Sequence, residues 1–454
     1  MQNRHPWRQK MSYCKFTLGV LLGGCWLVLA PIVDAQTGGA AQESPAAVAV
    51  YPLSLEGPKP EEVVPPSSAE IQRSIERGVQ FLIDTQLEVG AWGRSETGKY
   101  YQIWAPIPGA HQAYRMGTTT LAISALLDAR TTCQGELRDE VEQSLDRAQQ
   151  WLIDNSSKLR RSAPDMYDDY FGYALYNVWG HAYAIPAAIG LHERATGNSE
   201  LQKQLKEVIE YHIRRLAADE FVNGGWGYYD DPVTDKMGNP TRPRRARMVT
   251  PTGSSISFTT ATVLIALEQA KQFGSEVPQE VIQPAVDSIL RQRYPDFTYA
   301  YGEYLKYHPR MDINRPGGSL GRSQVCNLAL RLYGDELVTD AVLETWLNRL
   351  IARNGWLAMS RKRNYPGESP HFADFGVAGY FYYYGHYYAA MCVEQLPREK
   401  RAFYQNHLAH ILCPQQEKDG SWWDYILYDY HQQYGTAMAV STLVRCLPRP
   451  GAAP

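Results

Sequence analysis

The chain has 454 residues, with 45 basic and 48 acidic side chains and a formal net charge of −3. That near balance carries no basic footprint and excludes a general nucleic-acid partner. Hydrophobic residues make up 44% and aromatic residues 12%, including 31 tyrosines and 11 tryptophans, which suits an aromatic-rich core and not a disordered chain.

Residues 1–35 read as a signal peptide. Arg4, Arg8, Lys10 and Lys15 form a basic start, an apolar run extends from Phe16 to Val33, and Val33-Asp34-Ala35 offers a cleavage site. The alternative is a retained membrane anchor, because the run is near the lower limit for a spanning helix. Cleavage removes four basic groups and one acidic group, leaving a secreted or periplasmic chain, without a membrane span, that is net acidic by about six charges. Residues 36–68 are rich in Ala, Pro, Gly and Ser and read as a disordered linker. Residues 69–447 are evenly globular and read as one domain, with 448–454 as a tail. Cys133, Cys326, Cys392, Cys413 and Cys446 are scattered and form no CxxC pair, so their spacing permits disulfides without demanding them.

Within the domain the first helix places Ile71, Ile75, Val79 and Leu82 on one face. Phe81-Leu82 follows, then Gln86 and Gly90-Ala91-Trp92, and Gly117-Thr118-Thr119 opens the next helix. The far end repeats this spacing as Ile411-Leu412, Gln416, Gly420-Ser421-Trp422 and Gly435-Thr436-Ala437. Weaker copies lie between, at Trp151-Leu152, Gly224-Gly225-Trp226, Gly317-Gly318-Ser319 and Asn354-Gly355-Trp356. Self-similarity at this period marks a repeat architecture of about six helix hairpins. Amphipathic helices alternate with segments apolar nearly all round, such as Thr119–Leu127, Ala182–Leu191 and Ala437–Leu443. The fold class expected is all-α: an α/α toroid whose inner ring is enclosed by an outer one. Closure predicts that the last hairpin docks on the first and leaves a central cavity.

The Gln-Gly-Trp unit resembles the repeat of the terpenoid cyclase and protein prenyltransferase superfamily, also called prenyltransferase and squalene-oxidase repeats. Arg77-Gly78, Phe81-Leu82, Gln86, Gly90 and Trp92 carry the match, with a spacer one residue shorter than usual. The resemblance implies the toroid, and implies that Gln86, Gly90, Trp92, Gln416, Gly420 and Trp422 brace its outer helices. It does not supply the reaction. The Asp-x-Asp-Asp acid of squalene-type cyclases is absent, and no Asp-Cys-His zinc site can be assembled, so neither metal nor cofactor is expected.

Polar groups near the starts of inner helices are the candidate site. His181, Tyr384, His386 and Asp374 are the catalytic candidates; Asp168, Asp169, Arg322 and Tyr380 are the ligand-binding ones. Runs at Arg242, Arg244, Arg245 and Arg247, at Arg310, Arg315 and Arg322, and at Arg361–Arg363 make part of the rim basic, while Asp419, Asp424 and Asp429 make another part acidic. Three functions follow: a cavity binding an apolar or partly anionic small molecule, a polysaccharide lyase or hydrolase, and a non-catalytic interaction scaffold. The lyase reading needs Arg322 as charge neutraliser and Tyr384 or His181 as base.

Overall fold

Ser67 caps the first helix. Its hydroxyl accepts from the Glu70 N–H while the Glu70 carboxylate accepts from the Ser67 N–H at 2.7 Å, which satisfies two helix-end donors. The helix it opens, α1 (Ser68–Asp84), buries Ile71, Ile75, Gly78, Val79 and Leu82 and leaves the opposite face wet. The computed structural model describes residues 51–94, 108–159, 174–221, 223–230, 255–362 and 377–448. Next in chain order come α2 (Pro108–Ala129), α3 (Gly135–Asn155), α4 (Asn177–Arg194) and α5 (Ser199–Asp219). They are followed by α6 (Ser257–Phe273), α7 (Gln279–Gln292), α8 (Pro316–Leu332) and α9 (Asp340–Ala352). The short α10 (Asn354–Ala358), then α11 (Tyr382–Glu394), α12 (Arg398–Leu412) and α13 (His431–Cys446), complete the chain. Strand content among the described residues is one antiparallel pairing, Ala174–Leu175 with Tyr229–Asp230.

The nearly all-buried helices pack in a cycle: α2 on α4, α4 on α6, α6 on α8, α8 on α11, α11 on α13, and α13 back on α2. The amphipathic helices α1, α3, α5, α7, α9 and α12 pack outside them. A helix apolar on every side needs neighbours on every side, and only an inner position supplies them. The expected α/α toroid is the fold.

One turn is built four times at the junction from outer to inner helix. Leu87, Phe221, Tyr294 and Glu417 donate to the carbonyls of Ala91, Gly225, Thr298 and Ser421, and the turn residues Gly90, Gly224, Phe297 and Gly420 all have positive φ. The aromatic residue two positions on is buried: Trp92, Trp226, Tyr299 and Trp422. Each indole N–H donates to a carbonyl ten residues back, Leu82, Leu216 and Leu412. Thr119, Thr260 and Thr436 accept from the tryptophan backbone at 2.9 to 3.0 Å. Two expected copies are therefore misplaced. The fourth is Phe297–Tyr299, not Gly317–Ser319, which lies inside α8. Asn354-Gly355-Trp356 is no copy, because Trp356 is 46% exposed on α10.

These turns lock each hairpin to the next. Gln86 donates to the Ser144 carbonyl of α3 and its Oε1 accepts from Arg147 Nε, both at 3.0 Å. At the seam the same bonds recur between the chain's two ends: Gln416 donates to the Ser74 carbonyl, and Arg77 donates to Gln416 Oε1 and the Glu417 carbonyl. A Cβ on Gly420 would stand 2.4 Å from the Arg77 carbonyl oxygen, so the close approach and the φ of +91° both demand glycine. The last hairpin docks on the first.

Residues 51–67, expected as part of a disordered linker, lie against the outer ring. Tyr51 stacks edge-on to Phe297, and Arg349 of α9 donates to the carbonyls of Leu53, Glu56 and Asp296. Further along, His410 of α12 meets the Val64 carbonyl at 3.1 Å. A compositional argument overlooks backbone carbonyls, which any residue supplies. Arg349→Ala removes the donor from the Leu53 and Glu56 carbonyls, while Asp296 keeps the Trp346 indole N–H, and is expected to cost about 1–3 kcal/mol. Limited proteolysis followed by mass measurement checks this: cleavage within 51–67 quickens in the variant, and unchanged cleavage refutes the anchor.

Candidate functional site

The residues that open the inner helices, and the segments just before them, meet at one mouth of the ring. Their aromatic rings form a belt. Tyr430 lies 5.6 Å from Tyr114 of α2, Tyr114 lies 5.0 Å from Tyr176, and Tyr176 lies 5.1 Å from Tyr228. Tyr228 and Tyr301 are 6.3 Å apart with their hydroxyls 2.6 Å apart. Phe381 follows Tyr301, Tyr380 packs on Phe381 at 4.5 Å, and Tyr425 meets Tyr380 at 5.7 Å. His111 adds a ring near Tyr428 and Tyr430. Tyr114, Tyr176, Tyr228, Tyr380 and Tyr425 are only half-buried. Hydrogen bonds also join Tyr114 to Tyr176 and Tyr301 to Tyr380. Burial, then neighbouring hydroxyls, raises the pKa of Tyr114, Tyr228 and Tyr380, so these groups are neutral donors and acceptors.

Below the belt the axis is crossed by side chains. Tyr384 of α11 donates to the Phe258 carbonyl of α6 at 3.2 Å and accepts from Thr262 Oγ1 at 2.9 Å, while Tyr388 donates to that Oγ1 at 3.2 Å. Tyr183 of α4, three places round the ring from α11, hydrogen-bonds Tyr388. Trp179, Phe258 and Tyr384 pack together at 6.0 to 6.1 Å. Among the described residues this plug crosses the axis where closure was expected to leave a central cavity; six inner helices leave an axis that tyrosine side chains can span. The aromatic belt forms a floor above it.

Arg322 lies under that floor, fully buried. Its guanidinium lies 5.2 Å from the Tyr301 ring, 5.5 Å from Phe381 and 5.6 Å from Phe258. It donates to the carbonyls of Tyr299 and Ile313, and its Nε has no partner. Among the described residues it has no carboxylate, so a buried positive charge is balanced only by dipoles and π-faces.

The catalytic candidates point elsewhere. His181 is buried between rings, its Nδ1 2.8 Å from Nδ1 of His212 on α5, and His212 continues to Ser156 at 3.2 Å. His386 also faces outward: its Nδ1–H donates to the Tyr382 carbonyl at 2.7 Å and its Nε2 accepts from Asn354 at 2.8 Å. Burial depresses both, His386 to about 4, and both histidines are neutral packing groups. Tyr384 belongs to the plug, with its hydroxyl hydrogen committed. Tyr380 lies in the belt. Asp168, Asp169 and Asp374 lie outside the described residues, as do Arg242–Arg247 and Arg363. Of the other rim cations, Arg315 pairs with Asp312, Arg361 donates to Tyr383 Oη and Gln415 Oε1, and Lys362 pairs with Glu417.

Residue-by-residue reading missed Tyr114, Tyr176, Tyr228 and Tyr301, and put Asp424 on an acidic rim where the structure buries it. A signal was present. Tyr228, Tyr301 and Asp424 each stand two residues after a repeat aromatic, Trp226, Tyr299 and Trp422. Asp424 Oδ1 accepts from Tyr434 Oη and from the Tyr425 N–H at 2.8 Å; Oδ2 accepts from the Tyr383 N–H at 3.2 Å. Burial pushes its carboxyl up to about 6. No group of three or more His, Cys, Asp or Glu poised for a metal occurs among the described residues.

No family model matches the chain, and no curated protein matches it. Among solved structures it is similar to an unsaturated glucuronyl hydrolase mutant from Streptococcus agalactiae, at 9% identity and TM-score 0.45, covering 85% of this chain and 93% of that one. It is similar to cellobiose 2-epimerase from Spirochaeta thermophila at 12% identity and TM-score 0.46, covering 84% and 97%. A possible member of the GH105 family from Salmonella enterica has 12% identity and TM-score 0.43, covering 86% and 96%. The repeat's likeness to the terpenoid cyclase and prenyltransferase superfamily remains a resemblance of the repeat.

Proposed function

We propose that the protein is a carbohydrate-active enzyme that lays a saccharide across the tyrosine floor of its mouth. The carrying observation is the belt itself: half-buried tyrosine rings offer stacking faces to a sugar, and their linked hydroxyls exchange hydrogen bonds with its hydroxyls. A hydrocarbon ligand would use only the ring faces and exchange no hydrogen bonds with those hydroxyls. Arg322 favours a saccharide carrying an anionic group, because its uncompensated charge lies under the floor. Reading residues 1–35 as a signal peptide puts such a protein where polysaccharide is met. The chemistry is a lyase or hydrolase reaction. The filled axis also favours one rival, a non-catalytic scaffold that uses the mouth as a docking face.

The test is titration of the purified protein with neutral and uronate oligosaccharides, followed by intrinsic fluorescence and by mass analysis of products. Tyr228→Ala and Tyr380→Ala are each expected to weaken binding about tenfold, the loss of one stacking ring. Product with an unsaturated ring identifies a lyase, and product with water added identifies a hydrolase. If no saccharide binds, or both variants bind like the parent, the reading fails. Binding without product leaves the scaffold.

A further inference from the structure

Asp424 takes no part in stacking, yet it is the buried carboxylate closest to the belt's chemistry. It is fully buried, and among the described residues it has no Lys or Arg ion pair. One oxygen, Oδ2, caps α11 through the Tyr383 N–H. That duty alone could be met by Asn or Ser without burying a charge. The other oxygen, Oδ1, holds the hydroxyl of Tyr434, a half-buried residue on the first turn of α13. Tyr434 lies within electrostatic reach of Tyr114 and Tyr425 of the belt. A tyrosine that gives its only hydrogen to a carboxylate behind it turns lone pairs toward whatever lies in front.

We propose that Tyr434 and Asp424 are the acid–base pair of the mouth, with Tyr434 meeting the ligand and Asp424 as the positioning residue that takes the relayed proton. The inference rests on the saccharide reading. In the forward step Tyr434 Oη takes a proton from a ligand hydroxyl or from a water beside it, and that O–H bond breaks. The electron pair stays on the ligand or water oxygen. Tyr434's original O–H bond breaks as Oδ1–H forms, so the net transfer is one proton to Asp424. The reverse step returns it to a departing oxygen. Among the described residues, the titratable or charged groups that act on Asp424 are Tyr382 and Tyr383 from α11, Tyr425 from its own segment, Tyr434 from α13, and Arg361 after α10. Burial of Asp424 leaves it ionised at neutral pH and close to neutralisation in mild acid.

The full chain labelled with carbon-13 at the tyrosine ring Cζ provides a test that needs no ligand. The Tyr434 resonance, assigned by its loss in Tyr434→Phe, is expected to move with a midpoint near 6 and to stay flat in Asp424→Asn. A flat resonance in the parent overturns the pair. Should Asp424→Asn not fold, Tyr434→Phe decides through the Asp424 carboxyl carbon. Losing its donor raises the midpoint, and an unmoved midpoint overturns the pair. On a saccharide that the parent turns over, Tyr434→Phe is expected to lower kcat about 100-fold with KM little changed, whereas an unchanged kcat overturns it. Failure of every saccharide to bind removes the carbohydrate reading and leaves the titration to judge the pair.

Discussion

Trp422→Ala is expected to lower the unfolding free energy by about 3–5 kcal/mol, the range for deleting a fully buried aromatic side chain. Trp422 is fully buried, and its indole N–H holds the Leu412 carbonyl at 2.9 Å. Its ring lies over Gly78 of α1, where an added Cβ would come within 2.8 Å of it, so α1 has no side chain able to fill the space. Truncation therefore leaves both a cavity and an orphaned carbonyl, at the one place where the chain's two ends meet. A closed ring has no terminal capping repeat, so loosening this joint exposes the edges of α1 and α13 together. Denaturant unfolding checks the size of the loss, and hydrogen exchange checks the place, with faster exchange in α1 and α13 than in α4 and α6. Trp356→Ala is the contrast, because its ring is 46% exposed; its cost is expected within about 0.5 kcal/mol. A loss below about 1 kcal/mol for Trp422→Ala would mean that the seam is not held there.

The ring was legible because its determinants are local. Gln86 and Gln416, Gly90 and Gly420, Trp92 and Trp422 make the same bonds at the same spacing, so two matching motifs describe two matching joints. The fourth joint escaped detection because Phe297 takes up the φ of +62° that glycine provides elsewhere, and Tyr299 replaces tryptophan. Backbone geometry was kept while residue type changed. The site was less legible for a different reason. An inner helix is apolar on every side, so its sequence fixes no direction for a polar residue on it. His181 and Tyr183 stand two residues apart on α4, yet one points at α5 and the other across the axis. The same ambiguity on α11 sends His386 outward and Tyr384 into the plug, while Tyr380, in the turn just before it, joins the belt. The repeat register, two residues past a buried aromatic, points instead to Tyr228, Tyr301 and Asp424.

The histidines buried between the inner and outer rings make the fold acid-labile. His212 is held at about 3 and His386 at about 4, in each case chiefly by burial, and His181 is depressed in the same direction. Each is neutral in the fold, whereas the unfolded chain protonates histidine below about 6.5. Their stabilisation is therefore complete above that pH and is lost as pH falls toward the folded values. Asp424 works the other way. Its folded value of about 6 lies above the unfolded carboxylate, so the fold gains from binding its proton as pH drops below 6. Glu142, held near 2 with its partners Arg130 and Arg194, titrates below this window. Between about pH 7 and pH 5 His212 and His386 cost about 2 kcal/mol each and Asp424 returns about 1 kcal/mol, a net loss of about 3 kcal/mol. His181 deepens that loss, since its Nε2 is buried without a partner and its Nδ1 already meets His212. Urea unfolding at the two pH values measures it. His386→Gln is expected to remove about 2 kcal/mol of the pH dependence while leaving that of the His181–His212 pair. Equal stability at both pH values would show that these rings take up protons in the fold, and that the joint between the inner and outer rings admits water.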